Sequence, residues 1–425
     1  MAIMYQAPKG TKDALPSETA RWQQLEEILR EVAASFGYKE IRFPTFEHTE
    51  LFLRSVGDTT DVVNKEMYSF VDKGGRNISL RPEGTASVAR AFVEHGLHLE
   101  PMPLKVFYIA PNFRYEKPQA GRLREHHQFG VEIFGAPQAA ADAEVIALAA
   151  TYLRRLGIDK NVTLNINSIG CPDCRPLYHA ALSAYFAGHR DTLCATCQDR
   201  LERNPLRILD CKSSICQKIA ADAPKSLDYL CGDCAQHFAQ LKGYLCGMDI
   251  DFVINPFLVR GLDYYSKTVF EFVSDSIGAQ GTVCGGGRYD SLIEHLGGPA
   301  TSGLGFGSGM ERLLLTIEAL GVPFGEPQTP DIFIAVLDAD ADLWAQQLVF
   351  TLRQNGLWAE RDLCGRSFKA QMKYADKIGA QYTVVIGDNE IEKDVAGVKN
   401  MKTGETFEVL ISQFVQGFQK LLGEE

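Results

Sequence analysis

Residues 106–135 read VFYIAPNFRYEKPQAGRLREHHQFGVEIFG. Two apolar runs, Val106–Ala110 and Phe129–Phe134, flank a polar stretch, which predicts antiparallel strands joined by an unusually long connection. Connections of that length inside a compact domain are usually functional. Arg114, Glu116, Lys117, Arg122, Arg124, Glu125, His126, His127 and Gln128 crowd this one, and Gly121 allows a tight bend. A guanidinium grips phosphate with two prongs and stays charged at any relevant pH, so Arg114 and Arg122 suit a polyphosphate. A solvated hairpin tip is the alternative. Arg114 and Glu116 weigh against it, because i and i+2 on a strand share one face.

Three further blocks extend the pattern. Arg81-Pro82-Glu83-Gly84-Thr85 opens a helical run, Ala86–Glu94, so a glycine bend and a helix start present Glu83 and Thr85 together. Thr85 as a plain N-cap is the alternative there. Arg260 follows the apolar Phe257-Leu258-Val259 and precedes Gly261-Leu262-Asp263-Tyr264-Tyr265. Gly303 to Arg312, GLGFGSGMER, runs from a strand into a helix expected over Met310–Leu320. Before it, a strand over Gly281–Arg288 carries Gly285-Gly286-Gly287, a mark of close approach to the backbone.

Taken together these blocks resemble the class II aminoacyl-tRNA synthetases, with Phe113-Arg114-Tyr115-Glu116 matching their Phe-Arg-x-Glu signature. The Arg260 block resembles that of the histidyl-tRNA synthetase family, and the likeness spans nearly the whole chain. It implies an α+β fold: an antiparallel-sheet catalytic domain over 1–325 with a cysteine-rich insertion at about 171–248, a linker at 326–330, and a C-terminal α/β anticodon-binding domain over 331–425. It implies that L-histidine is activated by ATP with Mg²⁺ and then passed to the 3′-end of tRNA(His). A homodimer is implied as well, with residues 17–46 forming much of the interface.

The resemblance also assigns residues. Such activation needs fixed cations that position two anions, and Arg114 and Arg260 take the catalytic places. Arg114, Glu116, Arg122, His126 and Arg312 fall at ATP-binding positions, with His126 standing where the family usually has a phenylalanine over the adenine. Choosing histidine requires hydrogen bonds to both ring nitrogens. Glu83, Gly84, Thr85, Gln128, Glu132, Tyr264, Tyr265 and Tyr289 fall at the histidine-binding positions. No residue suggests itself as general base for the transfer to tRNA. A regulatory relative that binds histidine without charging tRNA is the rival reading; such proteins usually lack the C-terminal domain and often lose these arginines, whereas this chain has both.

The composition is compatible with this. At 425 residues and 45% hydrophobic content the chain can build more than one core. A net charge of −11 excludes a generally basic nucleic-acid binder but leaves room for a local positive surface. No apolar run approaches a membrane span, and MAIMYQAPKGTKD lacks the apolar core of a signal peptide, so the expectation is a cytoplasmic protein without a membrane partner.

Eight of eleven cysteines lie between Cys171 and Cys234. In a reducing compartment such clustering points to metal. Cys171-x-x-Cys174 and Cys194-x-x-Cys197 have the spacing of a four-thiolate structural Zn²⁺ site, while Cys231 and Cys234, with Cys211 and Cys216, could form a second site or replace one pair. Reduced, partly buried thiols are the alternative. Beyond Pro330, alternating strands and helices predict a small α/β domain with a partly parallel sheet. Its helix over Ser367–Ile378 carries Lys369, Lys373 and Lys377 at i, i+4 and i+8, a stripe that fits either tRNA contact or a solvated face.

Overall fold

The central hairpin is longer than its apolar runs suggest. In the computed structural model, Leu104–Phe113 and Glu125–Phe134 pair without a break from Leu104↔Phe134 to Phe113↔Glu125. His126, His127 and Gln128 therefore stand on a strand, and the connection shrinks to residues 114–124. Pairing persists past the apolar residues because the ladder hydrogen bonds belong to the backbone and do not depend on side-chain polarity. The structure describes residues 5–57, 60, 62–338 and 341–423, so the first four residues of the N-terminal stretch and the last two of the chain lie outside the described residues.

The chain divides into two units, Met1–Glu326 and Pro327–Glu425. In the first, eight strands form one sheet in the order Lys39–Glu40, Leu104–Phe113, Glu125–Phe134, Gly303–Gly309, Thr282–Arg288, Ser266–Ser274, Val162–Ser168, Val253–Ile254. The inner strands are antiparallel and the two short edge strands pair parallel. Strand alternation sorts the side chains onto two faces. Phe107, Phe129, Val131, Ile133, Phe270, Phe272 and Phe306 point to one face and build the main core. The helices Pro16–Ser35, Ala139–Arg155 and Met310–Ala319 cover it, contributing Leu25, Leu29, Val32, Ile146, Leu153, Leu313 and Ile317. The other face, with Tyr108, Gln128, Glu132 and the glycines opposite them, is left for a site.

In helix Pro16–Ser35, proline occupies the first turn, where no N–H is needed, and Gly37 follows its end at φ 79°. Three short strands, Phe46–His48, Asn77–Leu80 and Ser69–Val71, make a separate antiparallel sheet. Between Cys171 and Gly247 the chain runs through short helices around a small core of Tyr178, Leu182, Phe186 and Ile208. Its last helix, Gly232–Gly247, sends Phe238, Leu241 and Leu245 into the main core. A fully buried Arg288–Asp142 ion pair, with His237 Nε2 at 3.3 Å from the same carboxylate, ties that helix to strand Thr282–Arg288.

In the second unit the strand order is Ala359–Arg361, Ile332–Val336, Tyr382–Ile386, Val395–Asn400, Thr406–Leu410, the first three parallel and the rest antiparallel. Helices Ala341–Gln354, Phe368–Lys377 and Phe414–Gly423 accompany it. A short helix, Asp388–Lys393, follows strand Tyr382–Ile386. Glu390 explains this, since its carboxylate accepts the Gly387 N–H at 3.0 Å and supplies the missing cap.

Candidate active site

Two glycine-rich strands form the floor. Gly285 pairs with Gly307 and Gly287 with Gly305, so four residues without side chains meet on the face away from the core. The space they leave is occupied. A Cβ on Gly285 would stand 2.6 Å from Arg260 Nη1 and one on Gly287 would stand 3.0 Å from Tyr265 Cδ1. On Gly305 it would strike the Glu132 carboxylate, and on Gly303 the Tyr289 ring. The glycines are required by close approach of other residues, as the triple-glycine run suggests.

Over one end of this floor lies a cavity of about 180 Å³ lined by Arg114, Arg122, Arg260, Arg312, His126 and Gln128, among others. The hairpin supplies Arg114, whose Nε donates to the Pro82 carbonyl at 2.8 Å. Arg312, at the start of helix Met310–Ala319, donates from Nε to the Gly121 carbonyl at 2.9 Å and from Nη1 to that of Thr282 at 2.8 Å. Burial, then the charges of Arg114 and Arg122, push Arg312 down to about 10. Part of that shift comes from neighbouring positive charge, which a polyanion would relieve. Arg122 pairs with Glu116. Arg260 pairs with Glu271, and its buried Nε has no hydrogen-bond partner among the described residues, a donor left over for an anion. Burial opposes the charge on Arg260, but Glu271 together with Tyr265 and Tyr264 outweighs it and raises its pKa.

Beside the cavity is a smaller, buried group of polar side chains. Glu132 accepts a hydrogen bond from Thr85 Oγ1 at 2.7 Å and another from the Tyr289 hydroxyl. Burial drives its pKa up to about 8, against the pull of those hydrogen bonds, so near neutrality this carboxyl holds a proton. The rings of Tyr264 and Tyr265 lie tilted against each other at 4.7 Å, with Tyr264 edge-on to Tyr289 at 5.6 Å. Gln128 is oriented by Asn112 Nδ2, which donates to its Oε1 at 2.6 Å. Glu83 is buried, and burial raises its pKa although both oxygens accept helix-start N–H groups, from Thr85 and Ala86, at 2.8 Å. Gly84 admits the Tyr108 ring, which also lies against Gly130.

Sequence reasoning overlooked Tyr108, Asn112 and Glu271. Strand parity with Gln128 and Glu132 could have pointed to the first two, since Tyr108 opposes Gly130 and Asn112 opposes His126. Glu271 becomes visible only through its register with Gly285. His126 lines the cavity, and burial followed by the charges of Arg114 and Arg312 lowers it to about 3, which makes it a neutral ring. Its neighbour His127 is turned away to Glu311, at 2.9 Å from Nδ1.

Two groups of expected residues lie elsewhere. Lys369, Lys373 and Lys377 are exposed on helix Phe368–Lys377 of the second unit, whose buried side carries Gln371 and Ala375. The cysteines require a correction: Cys171 and Cys174 do not share a cluster with Cys194 and Cys197. Cys171, Cys174, Cys231 and Cys234 form one group, and Cys194, Cys197, Cys211 and Cys216 form another. Spacing along the chain suggested the first pairing, but helix Gly232–Gly247 returns Cys231 to the neck of the segment beside Cys171.

A cluster of arginines lining one cavity, beside buried polar side chains, on one glycine floor over an antiparallel sheet, is the arrangement of a class II aminoacyl-tRNA synthetase. Comparison with known proteins narrows this. A family model described as histidyl-tRNA synthetase matches residues 10–174 and 203–313, and one described as anticodon binding domain matches 331–421. The histidine–tRNA ligase of Caldanaerobacter subterraneus subsp. tengcongensis is 56% identical over 411 residues, covering 97% of this chain and 98% of the relative. That of Acetivibrio thermocellus is 55% identical over 413 residues, covering 97% and 99%. The crystal structure of apo S. aureus histidyl-tRNA synthetase matches with a TM-score of 0.84 at 39% identity, covering 98% of this chain and all of that one. The chain belongs to the histidyl-tRNA synthetase family.

Proposed function

We propose that the chain activates L-histidine with ATP and transfers it to the 3′-end of tRNA(His). The observation that carries this reading is the convergence of Arg114, Arg122, Arg260 and Arg312 on one cavity beside the protonated Glu132. In the first step a histidine carboxylate oxygen bonds to the α-phosphorus while the bond to the bridging oxygen breaks, and pyrophosphate leaves with the electron pair. Arg114 and Arg260 stabilise the charge that builds on the α-phosphate, and Arg312 and Arg122 hold the outer phosphates. Glu116 and the neutral His126 face the adenine end. Mg²⁺ enters as part of the nucleotide substrate, since the cavity's carboxylates, Glu116 and Glu311, are already engaged by Arg122 and His127.

Specificity follows from the buried group. Glu132 and Tyr265 bond the two ring nitrogens, while Glu83, Thr85 and Gln128 address the amino and carboxylate ends, with Tyr264 and Tyr289 closing the walls. A different side chain would leave the buried carboxyl proton of Glu132 without an acceptor, which costs more than a poor apolar fit. In the transfer step the terminal ribose hydroxyl of tRNA attacks the carbonyl of the adenylate and AMP departs. The second unit recognises tRNA through its lysine stripe.

A homodimer belongs to the same reading, supported by the exposed Phe46 and Leu53 beside the small sheet. The cysteine-rich segment contributes structural metal and no chemistry. Among the described residues no helix is long and apolar enough to cross a membrane. ATP–pyrophosphate exchange measured with each of the twenty amino acids tests the reading: exchange is expected with histidine, followed by charging of tRNA(His). Exchange with a different amino acid, or none, overturns it.

A further inference from the structure

We propose that the eight clustered cysteines form two separate four-thiolate zinc sites, Cys171/Cys174/Cys231/Cys234 and Cys194/Cys197/Cys211/Cys216, whose metals fix the side chains that anchor the Arg260–Tyr265 segment.

The sulfur geometry is that of a mononuclear tetrahedral site. Zinc bonded to four sulfurs at about 2.3 Å sets S···S edges of about 3.8 Å. The observed separations are 3.7 Å for Cys171–Cys174, 3.9 Å for Cys171–Cys231 and 3.8 Å for Cys194–Cys211. Within each group all four sulfurs lie within 4.8 Å of one another. None of these cysteines is in a disulfide. Backbone N–H groups point at the sulfurs as they do around metal-bound thiolates: Cys231 N–H donates to Cys174 Sγ at 3.1 Å and Cys194 N–H to Cys216 Sγ at 3.3 Å.

The two sites are nested, and the nesting gives each a task. The first closes the neck of the segment, where the chain leaves strand Val162–Ser168 and where it returns into helix Gly232–Gly247. The second lies inside that loop, where Cys197, Cys211 and Cys216 are themselves part of a small apolar core. A core of that size is short of hydrophobic burial and gains most from a metal staple.

Each site also adjoins residues that contact the segment carrying Arg260. Arg175, the residue after Cys174, donates to the Tyr265 carbonyl. Between Cys197 and Cys211, Arg207 donates to Asp263 Oδ1 at 2.9 Å and Asn204 donates to the same oxygen at 3.3 Å. Arg175 and Arg207 are therefore positioning residues, acting on the site through the Tyr265 backbone and the Asp263 carboxylate.

The metal assignment is independent of the proposed activity, whereas the positioning consequence rests on it. Full-length chain purified under reducing conditions without chelator should contain about two zinc ions, both released when a mercurial titrates the thiols of the native protein. Cys194→Ser with Cys216→Ser should leave about one zinc, and so should Cys171→Ser with Cys234→Ser. Less than about 0.2 zinc per chain, stoichiometric iron, or about one zinc removed equally by either pair would overturn two zinc sites. The native titration decides the matter even where a variant fails to fold. For the positioning claim, Arg207→Ala should keep both zinc ions and lower kcat for histidine-dependent exchange about 10- to 100-fold with KM for ATP unchanged, and Arg207→Lys should recover part of the loss. An unchanged kcat in Arg207→Ala overturns the bracing. Two zinc ions in a wild-type chain without exchange activity would support the metal sites and reject the aminoacylation reading alone.

Discussion

Arg260 and Glu271 form an ion pair on the glycine floor, and Thr282 Oγ1 donates to the same carboxylate at 3.2 Å. Each side chain keeps about a fifth of its surface exposed, at 20% and 19%. The pair is therefore worth more than the roughly 1 kcal/mol of a surface bridge and less than the roughly 3–5 kcal/mol lost when a fully buried pair is broken. Arg260→Ala should lower the rate of histidyl-adenylate formation about 100- to 1000-fold and also lower the melting temperature, because Glu271 is left without its counter-charge. Adding Glu271→Gln should restore the melting temperature and leave the rate low. Recovery of both would mean that Arg260 acts only through stability.

Glu132 predicts a pH profile for histidine binding. Its carboxyl titrates at about 8 in the free protein, and free imidazole at about 6.5. If the complex keeps one proton between the carboxyl and the ring, binding takes up or releases none between these values. Affinity should be flat there. Above about 8 binding must take up a proton, so affinity falls with rising pH; below about 6.5 it must release one, so affinity falls with falling pH. Glu132→Gln should abolish the upper limb and keep the lower one. Calorimetric titration across pH 5.5–9.5 checks this, and an upper limb that survives the substitution would place the titrating group elsewhere.

The same carboxyl has a consequence for folding. Its folded pKa is raised, so between the ordinary carboxylate value and about 8 the folded state holds a proton that the unfolded chain has lost. Stability of the ligand-free protein should fall as pH rises through that window. The fall should be shallower in Glu132→Gln, as read from urea midpoints at pH 5 and pH 8.

Gly285→Ala tests the floor. The new methyl would stand 2.6 Å from Arg260 Nη1, the mobile end of a long side chain, so the arginine shifts and the sheet does not. Exchange activity should drop at least about tenfold with the melting temperature nearly unchanged. Gly305→Ala strikes the Glu132 carboxylate in a rigid, buried setting and should cost histidine affinity as well as stability. Similar losses of stability in both variants would contradict this account.

For the second unit, reversing Lys369, Lys373 and Lys377 to Glu should weaken tRNA binding and reduce its salt dependence, while histidine-dependent exchange is unaffected. The slope of log affinity against log salt should become shallower by about 2 if all three lysines meet phosphates. An unchanged slope would make the stripe a solvated face.

Much of the site was legible because its chemistry is carried by residues that are conspicuous in sequence. Arg114, Arg260 and Arg312 each sit in a short block with glycines or a turn, and local spacing alone says that something approaches the backbone there. Helix Ala341–Gln354 and strands Ile332–Val336, Tyr382–Ile386 and Thr406–Leu410 stand where periodicity puts them, because burial on one side imposes a period that neighbours along the chain reveal.

What periodicity cannot say is which strand lies beside which. Tyr108 and Glu271 enter the site through register, Tyr108 opposite Gly130 and Glu271 opposite Gly285, and register is set by pairings between residues more than about a dozen apart in both cases. The cysteines separate the two kinds of knowledge most sharply. Their number and their Cys-x-x-Cys turns were enough, by sequence alone, to mark a region of clustered thiols as a candidate for metal. Which four thiols gather in one cluster was decided by the tertiary structure, because helix Gly232–Gly247 packs Phe238, Leu241 and Leu245 into the main core and so carries Cys231 and Cys234 back to Cys171. A thiol's partners are set by where the hydrophobic core draws the chain, and that force acts across distances along the sequence that no local spacing records.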